Sequence, residues 1–139
     1  MINETIHLEI SSNPKLALFL RRTVSQISEM VGFDEEETNR IALAIDEAFT
    51  NIIKHSYKMD FSQKVRLVFS FEENSHLGIE IQDDATPLNK EKIKSRNLEE
   101  VRPGGLGVHL IHCIMDKIEY TPGKKKGNSL YMYKKLLPK

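Results

Sequence analysis

Two stretches of the chain alternate with a period of two. Val65, Leu67, Phe69 and Phe71 fall on one side of the first, Leu77, Ile79 and Ile81 on one side of the second, and Glu72-Glu73-Asn74-Ser75-His76 separates them. That pattern specifies a β-hairpin with one buried face, which must be covered by something else in the chain. Carried one step further, the second alternation puts Asp83 on the same inward side as Leu77, Ile79 and Ile81. A carboxylate that ends an apolar row needs a hydrogen-bond donor, because an unpaired buried charge is costly. The exocyclic amine of an aminopurine above an apolar slot would be one such donor. The alternative is that the strand stops at residue 82 and Asp83-Asp84 opens a solvated turn.

The rest of the chain supplies more strand and the helical cover. Ile6, Leu8 and Ile10 alternate with Thr5, His7 and Glu9, a first strand that Ser11-Ser12-Asn13-Pro14 ends. Asn13 is placed to cap a helix with Pro14 in its first turn, and Leu16, Phe19, Leu20, Val24, Ile27 and Val31 keep helical spacing until Gly32. Asp34 and Glu37 resemble a capping box for a second helix, expected to run to about Tyr57. Ile41, Ile45, Ala48 and Ile52, widened by Phe49 and Ile53, form its apolar stripe.

Along the border of that stripe Glu47, Asn51 and His55 recur every four residues as a polar ladder. A carboxylate and a carboxamide one turn apart suit two tasks: Glu47 can take a proton, and the Asn51 oxygen can ligate a hard Mg²⁺ ion. Taken alone, such a pair is also what most surface helices carry.

Residues 85 to 107 are polar, with Pro87, Pro103 and three glycines, and only Leu88, Ile93, Leu98, Val101 and Leu106 to anchor them. A segment this long with so little to bury, between two patterned regions, reads as a mobile cover over a site, with Lys90 to Ser95 as a short helical piece. It ends in Gly104-Gly105-Leu106-Gly107, directly before the helical pattern Val108, Ile111, Ile114, Met115. Glycines there let backbone approach a ligand, and free amides at a helix start attract phosphate oxygens. No Gly-Lys-Ser/Thr comes after the glycines and no strand directly precedes them, which excludes a Walker A loop and a dinucleotide fingerprint. Two strands close the chain, one through Ile118 and Tyr120, one through Leu130, Met132 and Leu136, joined by a turn from Pro122 to Asn128 with three lysines.

Composition narrows the function classes. With 139 residues, 40% hydrophobic and 29% charged, the chain reads as a single domain over residues 1–139. Its 20 basic and 20 acidic residues balance, which argues against direct nucleic-acid or anionic-membrane binding. The single cysteine, Cys113, sits in an apolar helical run and reads as a buried small hydrophobe. No apolar run reaches the roughly 18 residues that span a bilayer, and the start lacks a signal-peptide layout, so a cytoplasmic location is expected.

The element order gives an α+β fold: a two-layer α/β sandwich, a mixed sheet of about five strands covered on one face by three helices, with a lid. Arg66, Val68 and Ser70, with Tyr131 and Tyr133, leave the other sheet face not wholly polar, so a partner or second subunit is expected over part of it.

Three motifs in this order resemble the GHKL ATPase and kinase superfamily with the Bergerat nucleotide fold, and within it the RsbW-like anti-sigma-factor serine kinases. Glu47 to Tyr57 looks like the N box, Asp83-Asp84-Ala85-Thr86-Pro87-Leu88-Asn89 like the first glycine box, and Gly104 to Ile111 like the second. The resemblance implies ATP and Mg²⁺ as cofactors, the metal on Asn51, and adenine on Asp83. Nucleotide contacts would come from Asn51, Asp83, Ala85, Arg102, Gly104, Gly105, Leu106, Gly107 and Val108, and the catalytic base would be Glu47. It further implies a STAS-domain anti-anti-sigma protein as substrate, a sigma factor as a competing partner, and a homodimer. Two departures stand out. Ala85 replaces a usual glycine and would hold the backbone further from adenine, and Lys126-Gly127-Asn128-Ser129 replaces a Gly-Thr pair. The competing reading is a non-catalytic nucleotide-binding regulatory or docking module of the same fold.

Overall fold

The structure, a computed structural model, describes residues 2–87 and 106–138, with backbone alone for 106–108. Strand β1 (Asn3–Ser11) leads through a 3₁₀ turn (Pro14–Leu16) into α1 (Ala17–Val31), followed by α2 (Glu35–Asn51) and a π-helical segment (Ile52–Ser56). Then come β2 (Lys64–Glu72), β3 (His76–Asp83), α3 (Leu106–Ile114), β4 (Lys117–Pro122) and β5 (Asn128–Lys135).

The five strands form one sheet in the order β1-β2-β3-β5-β4, and every pairing is antiparallel. The expected mixed sheet is therefore corrected. β4 and β5 form an antiparallel hairpin, and β5 inserts between β4 and β3 and runs opposite to both. β3 is central, and Asp83 ends it, opposite Val65 on one side and Asn128 on the other.

The alternation read from sequence sets the layers. Val65, Leu67, Phe69 and Phe71 of β2 and Leu77, Ile79 and Ile81 of β3 are buried with Leu130 and Met132 of β5. Against them lie Leu20, Val24, Ile27 and Val31 of α1, and Ile41, Ile45, Ala48 and Phe49 of α2. Each of the larger side chains among these removed from water contributes about 1.5–3 kcal/mol before the cost of ordering it.

The helix ends follow local chemistry. The Asn13 side chain accepts from the Lys15 amide at 3.0 Å, and the Asp34 side chain accepts from the Glu37 amide at 2.8 Å. Gly32 ends α1 at φ +116°, a left-handed conformation that glycine adopts without strain.

The second helix does not run regularly to Tyr57. It is α-helical to Asn51 and then widens, the Tyr57 amide donating to Ile52 O five residues back at 2.8 Å. His55, the last residue of the expected ladder, falls inside this π segment, where the i, i+4 repeat of the α-helix no longer holds. Cys113 is exposed rather than buried, because α3 turns Ile111 and Ile114 inward and residues 112 and 113 outward. Leu136 comes after β5 rather than belonging to it. The expected helical piece Lys90 to Ser95, and most of the expected lid, lie outside the described residues.

Candidate functional site

The end of β3 is the most densely tied part of this edge of the sheet. Asp83 is 4% exposed, and its Oδ1 accepts from the Ala85 amide at 2.9 Å and from Asn128 Nδ2 at 3.0 Å. The strand therefore does not stop at 82, and two donors for this carboxylate come from the chain itself. The Asn128 amide also donates to Thr86 O at 3.2 Å. The Gly127 amide donates to Ala85 O at 2.7 Å, so the β4–β5 turn is fastened to the segment that leaves β3. Gly127 has φ +86°, and a Cβ on it would lie 2.7 Å from Asp83 O. Only glycine allows this approach without displacement.

Ala85, which stands where the resemblance has glycine, is half-buried against the core. Its backbone is not among the described residues with positive φ, so the position does not need glycine's freedom. Asp84 turns the other way and takes a bidentate grip from Arg66, at 2.7 and 3.0 Å. The Arg66 hydrogen bonds hold the Asp84 carboxyl below the ordinary carboxylate range, against some opposing burial. The same contact raises Arg66.

Tyr57 connects this strand end to the helix. Its hydroxyl donates to Lys64 O at 2.5 Å and accepts from the Asp84 amide at 2.6 Å. Burial is the main cause that pushes its phenol pKa up, with the nearby carboxylates of Asp83 and Asp84 adding to it.

Glu47 and Asn51 lie in the last turns of α2, half-buried beside the buried Ala48 and Ile52. Among the described residues neither side chain has a hydrogen-bond or ion-pair partner. Asp46, beside Glu47, faces Arg21 of α1 at 3.9 Å. α2 packs against α3, whose first residues are Leu106, Gly107 and Val108. The structure thus carries the end of the α2 helix, the end of β3 and the β4–β5 turn to one region through Tyr57, Asn128 and Gly127. Arg102, Gly104 and Gly105 lie outside the described residues, as do the side chains of Leu106 and Val108.

Among the described residues no group of three or more His, Cys, Asp or Glu is arranged to hold a metal. A carboxamide oxygen with no partner among the described residues still fits Mg²⁺, which takes one or two protein ligands and completes its octahedron with phosphate oxygens and water.

Sequence reasoning assigned no contact to Tyr57, Arg66, Gly127 or Asn128. For Gly127 and Asn128 a signal was present, since a glycine-polar pair opens the last strand where the resemblance has Gly-Thr. For Arg66 and Tyr57 there was none, because their partners are set by strand register and by the π turn.

Comparison with known proteins agrees with this architecture. A serine-protein kinase RsbW from Oceanobacillus iheyensis is 29% identical over 122 residues, covering 82% of this chain and 77% of that protein. One from Bacillus thuringiensis is 29% identical over 124 residues, covering 84% and 76%. Among solved structures, the RsbU and RsbW domains of Rv1364c from Mycobacterium tuberculosis superpose with TM-score 0.67 at 14% identity, over 94% of this chain and 31% of that one. A chain of the SiaB-SiaC complex from Pseudomonas aeruginosa gives 0.66 at 12% identity, over 92% and 88%. These two share the fold. The histidine kinase-like ATPase domain model matches residues 10–134, and the chain belongs to that family.

Proposed function

We propose that the protein is a Mg²⁺- and ATP-dependent serine/threonine protein kinase that phosphorylates a STAS-type anti-anti-sigma protein and, by doing so, changes partners. The observation that carries this reading is the Glu47–Asn51 pair, one turn apart, half-buried and unpartnered among the described residues, in a histidine kinase-like ATPase domain. The names of the relatives as serine-protein kinases support it.

In this reading Asp83 accepts from the adenine amine, the acceptor held in place by Asn128 and Ala85. Asn51 would hold Mg²⁺, which would supply positive charge against the phosphates. Glu47 takes the proton of a substrate hydroxyl as its oxygen bonds to the γ-phosphorus, while the bond to the β,γ-bridging oxygen breaks and ADP leaves. By the family resemblance, Gly105 and Gly107 would lie against the phosphates and Arg102 would be a contact from the lid. A sigma factor is the second partner, held when the STAS protein is phosphorylated. A homodimer belongs to the same reading. No helix among the described residues is long and apolar enough to cross a membrane.

The test is transfer of the γ-phosphate to a STAS-domain protein of the same genome. Mg²⁺-dependent labelling of a serine or threonine, absent with Glu47→Ala, is the expected result. ATP binding without transfer to any STAS protein offered would favour the docking-module reading instead.

A further inference from the structure

Tyr57 is fastened at both ends, and the two ends belong to different halves of the candidate site. Its backbone amide closes the π turn onto Ile52 O at 2.8 Å, which fixes it to the helix that carries Glu47 and Asn51. Its hydroxyl reaches the sheet, donating to Lys64 O at the start of β2 and accepting, at 2.6 Å, from the amide that joins Asp84 to Asp83. The ring is 8% exposed, so the phenol is supported by packing as well as by its two hydrogen bonds. From the far side Arg66 holds the Asp84 carboxylate with two hydrogen bonds, at 2.7 and 3.0 Å. The peptide after Asp83 is thus gripped by an aromatic hydroxyl that itself rides on the Asn51 helix.

We propose that Tyr57, backed by Arg66 through Asp84, is a positioning residue that sets the separation between Asp83 and Asn51. This rests on the nucleotide-site reading above. One ligand that must be held at both ends gains from the second contact only if the two anchors stand at the ligand's own length. A strand end free to shift relative to the helix would still seat the purine, but it would present the triphosphate poorly to the metal-binding carboxamide. Tyr57 touches neither end of the ligand, so its effect appears in how strongly the two ends cooperate.

The experiment measures ATP affinity by calorimetry with and without Mg²⁺ for the wild type, Tyr57→Phe and Arg66→Gln. Circular dichroism and thermal melting are recorded on the same samples. The ratio of the two affinities reports the coupling, and a variant that is merely less stable loses both affinities together and leaves the ratio unchanged. Losing the phenolic hydroxyl while leaving the Asp84 amide without its acceptor should cut the Mg²⁺-dependent gain about tenfold in Tyr57→Phe. Arg66→Gln should cut it about threefold, since that pair is partly solvent-exposed. A folded Tyr57→Phe with the wild-type ratio overturns the proposal. Should Tyr57→Phe not fold, an unchanged ratio in Arg66→Gln overturns it, and a reduced one supports it. A wild type that binds no ATP under either condition removes the nucleotide reading itself, and this proposal with it.

Discussion

The two halves of the candidate site are built differently. At the end of β3 almost every polar group is engaged: Asp83 by Ala85 and Asn128, Asp84 by Arg66 and Tyr57, Ala85 by Gly127. At the end of α2, Glu47 and Asn51 carry polar groups beside an apolar core with no partner among the described residues. In the proposed function this contrast would divide ligand recognition from chemistry. A base-recognising acceptor works best when rigid, because its position selects the ligand. A proton acceptor and a metal ligand must keep their lone pairs open for the groups that arrive.

The sharpest way to break this division is to change the helix end and find that stability moves. Glu47→Gln should lower single-turnover phosphate transfer by about 10²–10⁴-fold, the span ascribed to a positioned general base. Its thermal midpoint should stay at the wild-type value, since the side chain has no partner to lose among the described residues. Transfer at the wild-type rate would remove Glu47 as base, and a large drop in melting temperature would show that the helix end is structural after all.

The sheet end should respond in the opposite manner, losing stability first. In Gly127→Ala the new Cβ meets Asp83 O, 2.7 Å away, at a φ of +86°. A strained left-handed backbone of this kind costs about 1–3 kcal/mol, measurable by urea unfolding. ATP affinity should fall with it, as the carbonyl that must move belongs to Asp83.

A smaller effect carries a sign. Asp84 is held below its ordinary pKa of 3.8 by Arg66, so its contribution to stability is complete above 3.8 and is lost as the pH falls through the lowered native value. Both partners are partly exposed, which limits that contribution to about 1 kcal/mol or less. Arg66→Gln should therefore be slightly less stable than the wild type at pH 7, and the gap should close in acid. A gap that widens on acidification would contradict the assignment.

Smallest of all is Ala85→Gly. Because Ala85 does not use positive φ, restoring glycine should leave ATP affinity unchanged and reduce stability by about 0.4–1 kcal/mol through added freedom in the unfolded chain. A clear gain in affinity would mean that the alanine does hold the backbone away from the nucleotide.

The hairpin and the inward side of Asp83 were legible in the sequence because a period of two leaves only one face for Leu77, Ile79, Ile81 and the next residue in their row. The Glu47–Asn51 spacing was equally legible, as both lie within the regular part of α2. The π turn itself was not legible, because nothing in Ile52-Ile53-Lys54-His55-Ser56 announces it. The antiparallel sense of the β3–β5 pair and the Asp83–Asn128 contact depend on strand order, and 45 residues of chain separate those two side chains. Cys113 was misread because its neighbours Ile111, Ile114 and Met115 are apolar while its own direction on α3 points outward.

The most direct measurement is an NMR titration with Mg-ATP that tracks the backbone amides of Asp83 to Ala85 and the side-chain amide of Asn51 in one series of spectra. If one nucleotide is held from both ends, both sets of signals move together and saturate with a single dissociation constant. If only one set moves, or the two saturate at different concentrations, the helix end and the sheet end do not form one site.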